Sequence, residues 1–165
     1  MNDHRTPDGT PATSPDPARY LRPGWFTRNV FNRLVQRLTR MGLSVHGSRE
    51  LRVRGRRSGE WRSTPVNLLT VGGQEYLVAP RGTTQWVRNL RAAGTGELRV
   101  GRRVQAFGAE ELPDADKAAV LRPYLAKWKA ETGVFFDGLD ATASDADLVA
   151  AGPKHPVFLV EPAPT

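Results

Sequence analysis

With 165 residues, 39% apolar and 8% of them aromatic, the chain suits one domain with one core. It has no cysteine, which excludes disulfides, zinc–thiolate centres and cysteine nucleophiles. The net charge of +7 is unevenly spread: residues 19–108 hold 18 arginines against four acids, and residues 109–165 hold five basic and ten acidic groups.

The first 22 residues are rich in Pro, Asp and Thr and lack an apolar segment, so residues 1–22 are expected to be a disordered tail ahead of a single domain at 23–165. No apolar run approaches the length of a transmembrane helix, and a cytoplasmic protein is expected. Residues 25–42 place Trp25, Phe26, Val30, Phe31, Leu34, Val35, Leu38 and Met41 at three- and four-residue spacing, with Arg28, Arg33, Arg37 and Arg40 between them. That periodicity predicts an amphipathic helix with a basic face. Such a helix packs either on the domain's own core or, through residues 25–41, on an anionic membrane surface.

Residues 51–54 alternate apolar and basic, as a half-exposed strand does, and GRRSGE at 55–60 reads as a tight turn. Trp61–Val71 is the next strand; Pro65 within it cannot donate a ladder bond, which predicts an interruption or an edge. Gly72 and Gly73 mark a two-residue hairpin leading to a third strand at 74–80. A short helix follows at 84–93 with Thr83 or Thr84 as its cap. Residues 97–100 and 102–109 form another hairpin, 113–132 a helix carrying Ala118, Leu121, Leu125 and Trp128, and 133–143 a loop with two phenylalanines. Asp145–Ala151 is a further helix and 156–161 a last strand. The fold class is mainly β with flanking helices (α+β): about six antiparallel strands curled into a small barrel.

Two segments carry chemistry. In GRRSG the glycines permit backbone amides to converge on one anion, and Arg56, Arg57 and Arg62 add forked cationic donors with the Ser58 hydroxyl beside them. The bland alternative is a solvated hairpin turn. In APRGTTQWVRNL, Arg81 and Gly82 lie at a strand end just before a helix N-terminus, which favours an anion. Trp86 and Asn89 are three apart and share a helix face, so an indole and an amide could border a flat heteroaromatic ring; the alternative is that Trp86 is core and Asn89 surface. Neither the GxxxxGK[ST] spacing nor GxGxxG occurs, leaving the Walker and Rossmann nucleotide sites unsupported. His4, His46 and His155 are far apart, and no metal site is expected.

The succession RGRRSG…R…P, then VAPRG…QWVRNL, then a strand pair, resembles the deazaflavin (coenzyme F420)-dependent nitroreductase and quinone reductase family over about residues 25–162. That resemblance implies an FMN-binding split-barrel-like fold and hydride transfer from reduced coenzyme F420 to a flat electron-poor acceptor, a quinone or a nitro compound. It implies that Arg56, Arg57, Ser58 and Arg62 grip the phosphate and oligoglutamate tail, and that Pro65 and Val66 lie under the deazaflavin ring. Arg81 and Gly82 would contact the phosphate side, and Trp86 and Asn89 would border the cofactor. The family's usual proton donor is a tyrosine in the C-terminal part; here Tyr124 is the nearest hydroxyl, and the loop beyond it carries Phe135 and Phe136.

Three other readings stand beside this one. An FMN-dependent reductase would keep the barrel with fewer cations. A nucleic-acid module would use Trp61 and Trp86 as stacking platforms, but no RNP-like or zinc pattern supports it, and no nucleic-acid partner is expected. A membrane-docking protein would rest on helix 25–41 alone, although docking and quinone reduction are compatible because the acceptor would be lipid-soluble.

Overall fold

The computed structural model describes residues 47–163; the expected tail at 1–22 and the amphipathic helix at 25–42 lie outside the described residues. The elements run β1 (Ser48–Arg54), β2 (Trp61–Val71), β3 (Gln74–Val78), α1 (Gln85–Ala93), β4 (Thr95–Val100), β5 (Arg103–Glu111), α2 (Ala118–Thr132), α3 (Asp145–Ala151) and β6 (Val157–Pro162). The six strands form a closed barrel in the order β1-β2-β3-β6-β5-β4, with every neighbouring pair antiparallel. Closure leaves no long unpaired edge, which suits short strands made of alternating residues.

Alternation decides what faces inward. In β1, Leu51 and Val53 enter the barrel core, and Arg52 and Arg54 between them stack on the Trp61 ring at 4.8 and 4.2 Å. Val66, Leu68, Leu77, Leu98, Phe107, Phe158 and Val160 complete the interior, and Val87 and Leu90 of α1 pack into the same cluster. Gly96 is required beside Phe107, because a Cβ there would stand 2.8 Å from the phenyl ring.

A second cluster lies on the outside of the barrel. Leu69, Val78 and Val157 are buried under Val120, Leu121, Tyr124, Leu125 and Trp128 of α2, with Phe136 and Leu148. Consequently β2 shows no simple alternation; from Val66 to Leu69 three of four residues are buried because α2 covers the outer face at Leu69. α2 is less regular than its apolar spacing suggests. A 3-10 turn at Asp114–Asp116 precedes it, and Trp128 leaves helical geometry (φ −126°, ψ 22°) where the Thr132 hydroxyl takes the Trp128 carbonyl at 2.9 Å.

Several boundaries differ from expectation. β1 starts at Ser48 and β5 runs to Glu111, because pairing with neighbours extends strands whose ends look polar in isolation. Pro65 does not interrupt β2, which is continuous over 11 residues. β3 pairs with β2 only over Leu68–Val71, so Pro65 has β1 as its ladder partner, opposite Glu50, and loses no bond on the other side.

Candidate functional site

The GRRSG turn connects β1 to β2 at one end of the barrel. Its amides are largely consumed inside the protein: Gly55 N donates to Glu60 O at 2.8 Å, Gly59 N to Gly55 O at 2.8 Å, and Glu60 N to Ser58 Oγ at 3.2 Å. The Arg56 amide donates to Asn89 Oδ1 at 3.2 Å. Of this turn's amides from Gly55 to Glu60, only those of Arg57 and Ser58 are not used in these bonds. Its capacity for an anion resides in the guanidinium groups.

Those groups are placed by contacts across 33 residues of sequence. Arg56 Nη1 donates to Asn89 Oδ1 at 3.0 Å and to Gln85 Oε1 at 2.9 Å, docking the turn on the first half of α1. Asn89 is buried, so its carbonyl oxygen is an anchor for Arg56 rather than an open surface group. Arg56, Arg57 and Ser58 are exposed, and Arg62 is exposed on the β2 face that carries Val66 and Leu68 into the core. Elsewhere arginines meet carboxylates: Arg52 pairs with Glu97, Arg91 with Glu111 and Arg122 with Asp145. Among the described residues no carboxylate pairs with Arg56, Arg57 or Arg62. Three cations without carboxylate partners, one of them tethered, have the charge and donor groups a multiply charged anion would require.

The second segment forms the floor beside it. β3 ends at Val78, and a turn closed by Gly82 N to Ala79 O at 3.1 Å carries Pro80 and Arg81. Gly82 is buried with φ +81°, a conformation that side-chain-bearing residues adopt only under strain. Thr84 is the N-cap residue of α1, as its position predicts, but its side chain makes no capping bond. Thr84 Oγ1 is instead buried without a partner. No acidic residue stands in the first turn of α1. An unshielded helix N-terminus, an orphaned hydroxyl and a nearby arginine cluster fit an anionic group such as a phosphate.

The remaining candidates are distributed less evenly. Trp86 is partly buried, packing on the barrel cluster 5.9 Å from the Phe158 ring. Val66 enters the barrel core, and Pro65 beside it faces outward; they lie roughly 13 and 10 Å along β2 from Arg62, at about 3.3 Å per residue. Tyr124 belongs to the outer cluster, on the other side of the β2 wall from Val66 and Trp86. Burial pushes its pKa well above the ordinary tyrosine value, with the Asn67 and Thr132 side chains acting the other way. Two residues with a structural part in the site went unrecognised in the sequence. Gln85 has a weak signal, four residues before Asn89 on one helix face; His155, bonded to Pro80 O, has none.

Among the described residues no group of three or more His, Asp or Glu is placed to hold a metal ion, and no helix is long and apolar enough to cross a membrane.

A family model described as F420H(2)-dependent quinone reductase matches residues 26–136. No curated protein matches the chain. Among solved structures, one described as an F420-H2 dependent reductase (FDR-A) is 22% identical, covering 72% of this chain and 100% of that one at a TM-score of 0.49. Another, described as a domain-swapped dimer, is 22% identical over 82% of this chain and 97% of its own, also at 0.49. Protein Atu2129 of Agrobacterium tumefaciens C58, of unknown function, is 13% identical over 79% of this chain and 55% of its own at 0.50. This last likeness is one of fold.

Proposed function

The chain belongs to the F420H(2)-dependent quinone reductase family and is an F420H(2)-dependent oxidoreductase of split-barrel fold, and from that premise we propose that it reduces a flat, electron-poor small molecule, a quinone before a nitro compound. When bound, the deazaflavin supplies a hydride carried at carbon, with both electrons delivered together. The chain's own residues bind, orient and exclude water. Arg56, Arg57 and Arg62, with the Ser58 hydroxyl, hold the phosphate and the carboxylates of the tail. Arg81, Gly82 and the start of α1 meet the phosphate side. Trp86 and Asn89 border the cofactor, Asn89 chiefly by fixing Arg56. Pro65 and Val66 line the ring's position along β2.

One observation carries the reading. The cation cluster has no carboxylate partner among the described residues and is tethered by Arg56 to the helix whose N-terminus carries an unpaired buried hydroxyl. An FMN phosphate would need fewer cations, and the surplus favours a polyanionic tail. The acceptor preference follows from the family, and an apolar, lipid-soluble quinone also suits a basic amphipathic segment at 25–41 resting on an anionic membrane.

The test is a fluorescence titration with F420 followed by oxidation of F420H2 against a quinone and a nitroaromatic. R56A/R57A should weaken cofactor binding by about a hundredfold, two charge-assisted contacts at roughly 1.4 kcal/mol each. Unchanged affinity in that variant would remove the site assignment, and faster turnover of the nitroaromatic would reverse the acceptor order. Sedimentation with anionic vesicles, with and without residues 1–42, tests the membrane part; equal sedimentation of both chains counts against it.

A further inference from the structure

His155 is 2% exposed and lies 75 residues from the cofactor loop it touches. Its Nδ1 is 3.0 Å from Pro80 O. A carbonyl oxygen only accepts, so the ring donates and the Nδ1–H form is the one present in this bond. The ring also stacks on Phe136, at 4.0 Å between centroids and 25° between planes.

The place of this bond in the barrel explains why a side chain makes it. β3 and β6 pair in register from Glu75 with Val160 to Val78 with Val157. Ala79 N continues the ladder by donating to Pro156 O at 2.8 Å, but Pro156 has no N–H to return and neither has Pro80. The β3–β6 ladder therefore ends at this pair. The bond Pro156 cannot return would go to Ala79 O, which accepts from Gly82 N at 3.1 Å instead, and the imidazole adds a tie one residue on, at Pro80 O.

That carbonyl belongs to the peptide joining Pro80 to Arg81, at the centre of the Ala79–Gly82 turn. A trans peptide is planar, with C=O and N–H opposed, so fixing Pro80 O fixes the direction of the Arg81 N–H and holds the turn against a flip of that peptide. We propose that His155 is a positioning residue for cofactor binding: its imidazole locks the Pro80–Arg81 peptide in the orientation from which Arg81, Gly82 and the start of α1 meet the cofactor's phosphate side. The inference rests on the site assignment proposed above.

Two substitutions separate the bond from the packing. H155N keeps an N–H donor near the Nδ1 position and loses the ring. H155F keeps the ring and its stacking on Phe136 and loses the donor; a cavity of about 200 Å³ bordered by Phe136, Leu139, Ala151 and His155 leaves it room. H155F should raise the Kd for F420 about tenfold, the worth of one buried hydrogen bond, and raise KM for the reduced cofactor while kcat at saturation holds. H155N should bind within about threefold of wild type even though its urea midpoint falls with the lost stacking. Wild-type affinity in H155F, or affinity losses that follow the urea midpoint in both variants, would overturn the inference. Should H155F fail to fold, H155Q carries the donor one methylene too far and is judged against H155N by the same criterion. R56A/R57A is the control: if it too leaves affinity unchanged, the site assignment has failed, and if it alone weakens binding, only the role of His155 has.

Discussion

Asn89 shows how little separates a cofactor-facing residue from a structural one. Its Oδ1 accepts two bonds from Arg56, and N89A would leave the Arg56 amide without an acceptor against a buried helix. We expect a loss of roughly 1–3 kcal/mol in urea unfolding and about tenfold weaker F420 binding, the two effects appearing together because the same bonds shape the turn and aim the guanidinium. G82A tests the backbone alone: at φ +81° it should cost about 1–3 kcal/mol, again read from the urea midpoint. Tyr124 is a different case. It is buried in the outer cluster, on the far side of the β2 wall from Val66 and Trp86, so Y124F is expected to keep kcat within about twofold and to lose about 1 kcal/mol of stability. A kcat loss beyond tenfold would establish the tyrosine as the proton donor. Burial raises its pKa from the ordinary 10.0, so the folded state keeps a proton that the unfolded chain releases. That contribution to stability is whole below pH 10 and is lost as pH rises through the folded value; the fall above pH 10 should be shallower in Y124F.

Among the elements, strands and turns were the most legible. The Gly72–Gly73 hairpin, α1 and α3 lie where turn residues and periodicity put them, because these signals are local. The helical layer was less so. Lys117 precedes α2 and is 3% exposed, its ammonium bonded to Asp114 and to Gly152 O at 2.9 Å. Nothing in the residues around Lys117 announces a buried lysine; it is explained by α3, which ends 34 residues later at Ala151. K117A would remove the tie from Asp114 to Gly152 O, which keeps its bond from His155 N at 3.1 Å, and loosen α3 from α2, costing about 1–3 kcal/mol in urea unfolding, with F420 affinity nearly unchanged because the tie lies outside the cation cluster. A weakened affinity of more than about threefold would mean that the helical layer bears on the site.

At the scale of the molecule, the charge asymmetry and the barrel act together. The arginine-rich part of the chain supplies β1 to β4, α1 and the start of β5; the β1–β2 hairpin carries Arg56, Arg57 and Arg62, and closure of the barrel sets α1 against it through Arg56 and Asn89. Binding of a polyanionic tail to exposed arginines should weaken with ionic strength, several-fold between roughly 50 and 500 mM salt, and the salt slope should flatten in R56A/R57A. A salt-independent Kd would argue for a site built on neutral contacts. The amino-acid sequence alone determined the strand and helix order, the basic half, the absence of cysteine chemistry, and the two segments that carry the family likeness, since all of these are properties of composition and neighbouring residues. Only the tertiary structure decided that most of the turn's amides are spent internally, that Asn89 holds Arg56, that Tyr124 lies behind the β2 wall and that His155 reaches Pro80. The physical reason is sequence distance. Barrel closure joins residues 33 and 75 positions apart, and no local periodicity records which donor will face which acceptor once the sheet has closed.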